Sequence, residues 1–487
     1  PLAADPDDHG RNGARRRSAP HRKRRGCGKS LQHGACDRNR RRYRDAVHAL
    51  RRSVDVCAAR RGSLEARDGR GAARTGRARR HALNSGEPVT ARVCIVGAGP
   101  VGVVAAIACA RKGMRVTLLE AERQIDHSPR AATTHPSTLE MLAELGLLEE
   151  FQSLGLVARY FQFWDGTTKT LVAQFDHEVL RGETPYPFVV QTEQHKLSEL
   201  GLRRLAAMPN VELRLGTSVT DVVQDSRGAQ VTTEGAERHV FDYVIGCDGG
   251  RSTVRKCLDI DFEGYTWPER FLVLTTLFDF QTALGCCPRS YISDPEEWTN
   301  LFKVTGDDLK GRWRAVFPAR ENETDDEAFS EASVRRRLRK VCEEHPMELV
   351  AHRNIYRVHQ RVAKSFRKGR VFLAGDAAHV NNPVGGLGLN CGIHDAMELA
   401  DTLHRVTIGQ ASEELLDRYE RRRRPINIEF VQQQTVANKK RLEERDPKVR
   451  QDNFDRLRRS VADPGLHRQF LMRTSLIESV RRAREIA

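Results

Sequence analysis

Apolar positions in the middle of the chain form two kinds of run. A short apolar run, Arg92-Val-Cys-Ile-Val96, is followed by glycines and then by a stretch of small apolar residues from Val103 to Arg111. A second short run, Arg115-Val-Thr-Leu-Leu-Glu120, comes after a turn at Gly113. Short β-branched runs on both sides of a small-residue stretch predict a strand, a helix and a second strand.

Three later runs are short and rich in aromatic residues. They are Phe271 to Phe280, Trp298 to Val304 and Arg312 to Pro318. Aromatic and β-branched residues are typical of half-buried strands. We therefore predict a second, antiparallel sheet in this part of the chain.

The last part of the chain, from Glu413 to Ala487, is charged, and its apolar residues recur at helical spacing. Leu415, Leu416 and Tyr419 fall on one face of a helix, whereas Arg421 to Arg424 form a run of charge. We predict a helical cap in which this arginine run is a solvated face. The pattern leaves open a dimer contact through the same region.

The glycines after the first predicted strand have the spacing that dinucleotide binding requires. Gly97 would form the tight turn, Gly99 would let the backbone approach a pyrophosphate, and Gly102 would let the helix pack closely on the strand. Glu120 ends the second strand, where it could accept hydrogen bonds from ribose hydroxyls. This motif predicts a dinucleotide site but does not distinguish FAD from NAD.

Two further motifs each follow a predicted strand. One strand ends on Asp248-Gly249 before a turn and a basic helix start, and another ends on Gly375-Asp376 and leads into a glycine-rich stretch, Pro383 to Asn390. The three motifs, in this order, resemble those of the single-component aromatic hydroxylases of the para-hydroxybenzoate hydroxylase type. The resemblance covers about residues 89 to 403.

In that family the three motifs wrap one FAD, so the resemblance implies which residues contact it. Asp376 would accept a hydrogen bond from the ribityl chain, and backbone N–H groups after Pro383 would face the pyrophosphate and the flavin ring. Asp248 and the turn from Gly249 to Arg255 would lie near the pyrophosphate and the nicotinamide cofactor. The residues predicted to bind FAD are Gly97, Gly99, Pro100, Gly102, Glu120, Arg130, Gln191, Asp248, Gly249, Gly375, Asp376, Pro383, Gly386, Gly388, Leu389 and Asn390.

The implied fold class is α/β. It would consist of a Rossmann-like FAD-binding lobe, an inserted antiparallel-sheet substrate lobe that roofs the pocket, and a C-terminal helical cap. The predicted boundaries are 89–403 for the FAD-binding lobe, with the substrate lobe mainly within 155–190 and 266–350, and 404–487 for the helical region.

The resemblance also implies an activity. NADPH or NADH would reduce FAD, O2 would add to give a flavin hydroperoxide, and its terminal oxygen would attack a small aromatic, phenol-like substrate. A fold does not fix its chemistry, so an epoxidase, halogenase or reductase acting on a non-phenolic substrate is the alternative. Trp313-Arg-Ala-Val-Phe-Pro318 lacks the second tryptophan of the halogenase motif, which weighs against a halogenase.

Candidates for the catalytic chemistry are few. His135 or His359 could deprotonate a phenol, although such histidines often only complete loop hydrogen bonds. Arg314 could pair with a substrate carboxylate, or it could be a solvated strand charge. Pro383 would lie at the reactive edge of the flavin. Many relatives have a second proline before it, where this chain has Asn382, whose amide could bind a substrate hydroxyl or the loop backbone.

Nearly all of the net positive charge lies at the start of the chain. Residues 1–88 carry 24 Lys and Arg against 9 Asp and Glu, which is +15 of the chain's +16. Without a sustained apolar period this segment predicts a disordered arm. It is either a basic arm for nucleic acid or an anionic surface, or a segment upstream of the true start. We favour the second because the chain opens with Pro1 and the coherent pattern begins near Val89.

The cysteines and the lengths of the apolar runs limit which class of protein this chain can belong to. The eleven cysteines are scattered singly except for Cys286-Cys287, so no disulfide framework is expected. No apolar run reaches about 18 residues, and we predict a cytoplasmic protein. Cys27, His33, Cys36 and Cys57 lack the paired spacing of a zinc site, so no metal is expected. The expected partners are an aromatic substrate and O2, without nucleic acid.

Overall fold

The structure, a computed structural model, describes residues 90–487. The predicted basic arm, residues 1–88, and its cysteines lie outside the described residues. Within residues 90–487, no helix is both long enough and apolar enough to cross a membrane.

The strands of the described residues range from two to fifteen residues in length. They are, in chain order, β1 (Arg92–Val96), β2 (Arg115–Glu120), β3 (Thr133–Thr134), β4 (Leu156–Ala158), β5 (Tyr160–Asp165), β6 (Thr170–Asp176), β7 (Val189–Gln191), β8 (Val211–Leu215), β9 (Val219–Asp225), β10 (Gly228–Thr233), β11 (Arg238–Phe241), β12 (Tyr243–Gly246), β13 (Phe262–Thr276), β14 (Arg289–Ser293), β15 (Thr299–Val304), β16 (Arg312–Ala319), β17 (Val350–Ala363), β18 (Arg367–Lys368), β19 (Val371–Leu373) and β20 (His379–Val380).

The helices lie between these strands and after them. They are, in chain order, α1 (Pro100–Arg111), α2 (Pro136–Glu144), α3 (Leu148–Ser153), α4 (Gln194–Ala206), α5 (Thr253–Cys257), α6 (Phe280–Leu284), α7 (Asp325–Phe329), α8 (Glu331–Val341), α9 (Gly388–Thr407), α10 (Leu416–Ile426), α11 (Gln433–Leu442), α12 (Pro447–Ala462), α13 (Pro464–Thr474) and α14 (Ile477–Glu485).

A six-stranded sheet holds the first predicted strands at its centre. Its order is β18-β19-β12-β1-β2-β8, and all neighbours are parallel except β18 and β19. Val93 to Val96 are buried because helices cover the sheet, as is usual for parallel strands. Helix α1 packs against α4 and α9 through small buried residues, which confirms the predicted strand, helix and strand.

An eight-stranded sheet contains the three aromatic-rich runs. Its order is β20-β17-β13-β16-β15-β14-β5-β6, and only β14 and β5 pair in parallel. The three runs fall on β13, β15 and β16, so the predicted antiparallel strands are present. The first run was extended too far, because β13 ends at Thr276. The Asp279 carboxylate accepts a hydrogen bond from the Gln281 N–H and starts helix α6 at Phe280.

The two faces of this sheet pack against different helices. Side chains alternate along a strand, so Trp313 and Phe317 point to one face and Val316 to the other. Trp313 and Phe317 pack with α8, whereas Val316 belongs to a cluster with Phe454 of α12 and Leu471 of α13. The second face therefore looks towards the C-terminal helices.

The C-terminal region is helical, but its arginine run is not a solvated face. Arg423 is 2% exposed and forms an ion pair with the buried Asp395 of α9, so that prediction was wrong for this residue. Helix α10 contains Pro425, and a π-helical turn follows at Asn427–Gln432. Proline removes a helical hydrogen bond, which accounts for the irregular turn. The fold as a whole is a mixed α/β fold.

Candidate active site

The predicted dinucleotide residues meet at one edge of the six-stranded sheet. β19, β12, β1 and β2 are consecutive parallel neighbours, so their carboxyl ends lie side by side. Gly97, Glu120, Asp248 and Gly375 follow or end these four strands. Open parallel sheets bind ligands outside their carboxyl ends, which makes this edge the candidate site.

The glycines of the first turn have different tasks. A Cβ atom on Gly97 would lie 2.5 Å from the Cys247 carbonyl oxygen, and one on Gly102 would lie 1.9 Å from the Gly97 carbonyl oxygen. Both glycines are therefore required for packing. A Cβ on Gly99 would meet no atom within 4 Å. Gly99 instead faces open space at the N-terminus of α1, where Pro100 begins the helix and an anion is favoured.

Glu120 is fixed at this edge by backbone donors. Its carboxylate accepts hydrogen bonds from the N–H groups of Ala98, at 2.7 Å, and Glu122, at 3.0 Å. The carboxylate thus ties the end of β2 to the glycine turn after β1. Its remaining acceptor capacity is available to a hydroxyl group beside the turn.

Asp248 shapes the turn after β12. It accepts hydrogen bonds from the Ser252 hydroxyl at 2.6 Å and the Val254 N–H at 3.0 Å. Burial raises the pKa of Asp248. Gly249 follows with φ of +78° and no atom within 4 Å of a Cβ position, so the turn has an open side. Arg255 then donates to the Ala377 carbonyl oxygen at 2.8 Å and links this turn to the one after β19.

Asp376 combines an exposed side chain with surroundings that raise its pKa. Burial among neighbouring protein raises the pKa, and the charges of His379 and Arg130 oppose the rise. The Asp376 carboxyl group is thus accessible to solvent and yet closely surrounded by protein. The open positions at Gly99 and Gly249 lie at the same edge of the sheet.

A buried ionic network holds the turn of Asp376 from behind. The Asp395 carboxylate accepts from the Gly375 N–H at 3.1 Å, contacts His379 Nε2 at 2.6 Å and pairs with Arg423 Nε at 2.7 Å. Gly375 needs its φ of +59°, and Val101 leaves no room there for a Cβ. Sequence reasoning missed Asp395, because no local pattern links it to Gly375 or Arg423.

The Asn390 side chain ties the glycine-rich loop to the segment from Thr133 to His135. Asn390 donates to the carbonyl oxygens of Thr133 and Gly386 and accepts from the His135 N–H. Helix α9 begins at Gly388, so the N–H groups of Gly388 and Leu389 have no acceptor within the helix. These N–H groups are suited to an anionic ligand.

Asn382 serves the loop backbone. Its side-chain oxygen accepts from the Val384 N–H at 3.1 Å, its amide donates to Gln360, and it is fully buried. Of the two predicted roles, the structure shows the backbone one. Pro383 beside it is exposed towards solvent.

Two predicted cofactor contacts lie beside this loop. Gln191 on β7 is buried and accepts a hydrogen bond from the Thr133 hydroxyl at 2.7 Å. The Arg130 side chain is 60% exposed and pairs with Asp126. Its carbonyl oxygen accepts from Arg314 Nη1 at 3.0 Å. Arg314 is buried rather than solvated, and burial lowers its pKa.

His135 and Arg289 converge on one carbonyl group of the loop. The Gly385 carbonyl oxygen lies 3.0 Å from His135 Nε2 and 3.2 Å from Arg289 Nη2. Burial and then the charge of Arg289 hold the pKa of His135 well below its usual range. Sequence reasoning missed Arg289; its spacing of two from Tyr291 on one strand was the available signal.

An aromatic cavity opens beside Gly385. The empty space in and in front of it, open solvent included, is about 380 Å³, and its walls come from β5, β14, the glycine-rich loop, α11 and α13. The aromatic side chains that line it are Phe161, Phe163, Tyr291 and Phe470. Arg289 Nε donates to the Tyr291 hydroxyl at 3.1 Å, so a cation is built into an otherwise apolar wall.

His359 lies elsewhere. It sits on β17 with an exposed side chain, on the face opposite that of Val358, which packs towards the C-terminal helices. Burial and the nearby charges of Arg361, Arg357 and Arg251 lower the pKa of His359. Its position on the outer face leaves it no access to the aromatic cavity.

Comparison with known proteins agrees with this geometry. Residues 90–434 match a family described as FAD binding domain. Para-nitrophenol 4-monooxygenase of Pseudomonas sp. strain WBC-3 is 35% identical over 390 residues, which is 78% of this chain and 94% of that protein. The 6-hydroxy-3-succinoylpyridine 3-monooxygenase of Pseudomonas putida is 35% identical over 380 residues, 76% of this chain and 94% of that protein.

A solved structure extends the likeness to three dimensions. The p-nitrophenol 4-monooxygenase PnpA of Pseudomonas putida DLL-E4 has a TM-score of 0.72 and 33% identity, covering 80% of this chain and 98% of that one. The family model names FAD, and the two relatives and the solved structure are named as monooxygenases. The chain belongs to the FAD-dependent aromatic hydroxylases of the para-hydroxybenzoate hydroxylase type, enzymes that use NAD(P)H and O2.

Proposed function

We propose that the protein hydroxylates a small, single-ring, acidic phenol bound in the aromatic cavity beside Gly385. The observation that carries the proposal is the cavity wall, where four aromatic side chains surround one arginine, Arg289. Aromatic side chains favour a flat apolar ligand, and the cation favours one that carries negative charge. The names of the two relatives denote hydroxylated six-membered rings, which supports this substrate class.

FAD, when bound, supplies the redox chemistry by accepting a hydride from NAD(P)H and activating O2. We propose that its dinucleotide part lies along the sheet edge at Gly99, Glu120 and Asp376, with the ring near Pro383. The first N–H groups of α9, beginning at Gly388, would hold its negatively charged oxygens. The remaining chemistry is the task of the chain's own side chains.

Arg289 is proposed to keep the bound phenol ionised. An ionised phenol is the better nucleophile towards oxygen, and a fixed cation in a dry wall lowers the pKa of the bound phenol. His135 has a pKa well below its usual range, so it is a weak base. We propose that His135 positions the Gly385 carbonyl group and that Arg314 positions the Arg130 segment. His359 takes no part.

The proposed lobes follow from these sites. The six-stranded sheet with α1, α4 and α9 would form the FAD-binding lobe, and the eight-stranded sheet would roof the substrate. Residues 404–487 would form the cap, since Phe470 and Asn438 of this region line the cavity. We propose the cytoplasm as its location, and a dimer contact through the cap stays a prediction.

A substrate panel with one variant tests the proposal. In the wild type, nitrophenols and hydroxypyridines should accelerate NAD(P)H oxidation and yield hydroxylated products by mass. In Arg289→Met, the pKa of bound para-nitrophenol, read from its absorption band, should rise by about one unit or more. Arg458→Met, which alters an arginine outside the cavity lining that pairs with Asp455, serves as the control. An unchanged pKa in Arg289→Met would remove the assigned role.

A further inference from the structure

Two histidines from distant parts of the chain stack face to face. His127 lies in the segment after β2, and His195 lies in the first turn of α4. Their ring centroids are 4.2 Å apart and their planes differ by 9°. His127 is about half exposed, whereas His195 is 5% exposed. The pair is therefore accessible from one side only.

Carboxylates lie at both rings. Glu199 Oε1 is 2.8 Å from His127 Nε2, and Asp307 Oδ1 is 3.4 Å from His195 Nε2. The second contact lacks hydrogen-bond geometry, and His195 Nε2 is buried without a hydrogen-bond partner among residues 90–487. A buried ring nitrogen without a partner costs free energy unless something else binds it. It lies 3.4 Å from Asp307 Oδ1, at the edge of the ring that stacks on His127.

The donor set suits a divalent metal ion. One ligand atom each from His127, His195 and Asp307 lies within 4.8 Å of the others. Two imidazole nitrogens and one carboxylate oxygen are ligands that zinc accepts at about 2.0–2.2 Å. Because the two rings are stacked, the half-exposed His127 ring must rotate out of the stack, and the exposed Asp307 side chain must shift, to bring the three donors to that distance. Lys196 is adjacent, but it pairs with Glu193 at 2.7 Å, which compensates its charge.

We propose that His127, His195 and Asp307 form a zinc-class divalent metal site, with Glu199 as its neighbouring carboxylate. The site joins three elements: the segment that leads to Arg130, the start of α4, and the turn between β15 and β16. Arg314 on β16 already donates to the Arg130 carbonyl group. A bound ion would hold the same two segments together a second time, and its role would be structural.

Calorimetric titration of the FAD-saturated full chain with Zn²⁺ tests the proposal. After dialysis against a chelator, the wild type should bind one equivalent more than His127→Ala, His195→Ala or Asp307→Asn. His239→Ala, which alters a histidine paired with Glu237 elsewhere on the surface, is the matched control and should bind as the wild type does. The comparison between variants cancels any zinc held by Cys27, His33 or Cys36 in the arm.

Thermal unfolding gives an independent reading. Zinc at a hundredfold excess over its dissociation constant should raise the unfolding midpoint of the wild type by about 5 °C and leave that of His127→Ala unmoved. His127 is half exposed, so its replacement leaves the core intact. Equal zinc uptake by the wild type and His127→Ala, or an equal shift in midpoint, would overturn the proposal.

Discussion

At the scale of single residues, a substitution at Gly99 should weaken FAD binding without weakening the fold. Its φ of −62° suits alanine, and a Cβ there meets no protein atom within 4 Å. Gly99→Ala should therefore leave the free energy of unfolding of the apoprotein unchanged or raised by up to about 1 kcal/mol. The added methyl should weaken FAD binding at least about tenfold, or about 1.4 kcal/mol, by obstructing the pyrophosphate. Flavin fluorescence titration measures the dissociation constant of FAD.

Substitutions at two other glycines serve as comparisons for Gly99→Ala. Gly182 is equally open and lies in a loop away from the sheet edge, so Gly182→Ala should change neither stability nor FAD affinity. Gly102→Ala should prevent stable folding, since its Cβ would lie 1.9 Å from a carbonyl oxygen. If Gly99→Ala binds FAD as tightly as Gly182→Ala does, the pyrophosphate lies elsewhere.

The sequence predicted those glycines and missed the side chains that meet across the fold. Gly97, Gly99 and Gly102 are recognisable because their spacing is local. Arg289 and Gly385, or Asp395 and Arg423, meet only after strands and helices have packed. Long-range pairs leave no local period, so one sequence alone does not reveal them.

At the scale of elements, several ion pairs join α10 to α9, and the most deeply buried of them is that of Arg423 with Asp395. Arg423→Met leaves the Asp395 carboxylate buried with only His379 and backbone donors, which should lower the free energy of unfolding by about 3–5 kcal/mol. Arg421→Met is the matched control from the same helix, because Arg421 is exposed and donates only to the terminal carbonyl of Ala487. Denaturant unfolding measures both, and equal midpoints for the two variants would contradict the account.

The predicted boundaries of an element are correct where a local sequence signal marks its end. β1 and β2 have the predicted bounds, because each ends at a glycine or a charged turn. The aromatic run from Phe271 was broken by Asp279, whose carboxylate caps a helix in the middle of an apolar stretch. The burial of Arg423 was not predicted, because periodicity indicates which residues share a helix face but not what packs against that face.

At the scale of the whole molecule, buried histidines set the stability at mildly acidic pH. Burial lowers the pKa of His177 and of His394 to about 3. A depressed folded pKa means that their contribution is complete above the unfolded value of about 6.5 and is lost as pH falls towards 3. Together they should remove about 3 kcal/mol between pH 6.5 and 5.

Urea unfolding across that window checks the prediction. Carboxylates such as Asp395, whose pKa the paired His379 and Arg423 lower despite burial, lose their contribution only at lower pH. His177→Gln should flatten the slope by no more than about a third, because His135 and His394 also have depressed pKa values. His352→Gln, at an exposed position, should keep the slope. A wild-type stability that stays constant from pH 6.5 to 5 would contradict neutral buried histidines.

The mixed α/β fold was predictable at this scale because three motifs, in order, each require a parallel strand before them. The packing of the C-terminal helices onto the second sheet was not, since no motif records which sheet face they cover. The aromatic cavity arises from that packing. The proposed substrate site thus depends on contacts that the sequence alone does not reveal.

Oxygen incorporation during turnover tests the central claim most directly. The purified, FAD-saturated protein would be given NADPH or NADH, para-nitrophenol and ¹⁸O2, and the product mass would be recorded beside NAD(P)H consumption. The account predicts one ¹⁸O atom in a hydroxylated ring for each NAD(P)H consumed in coupled turnover. NAD(P)H oxidation that yields only hydrogen peroxide with every hydroxylated ring tried, or a product without ¹⁸O, would contradict it.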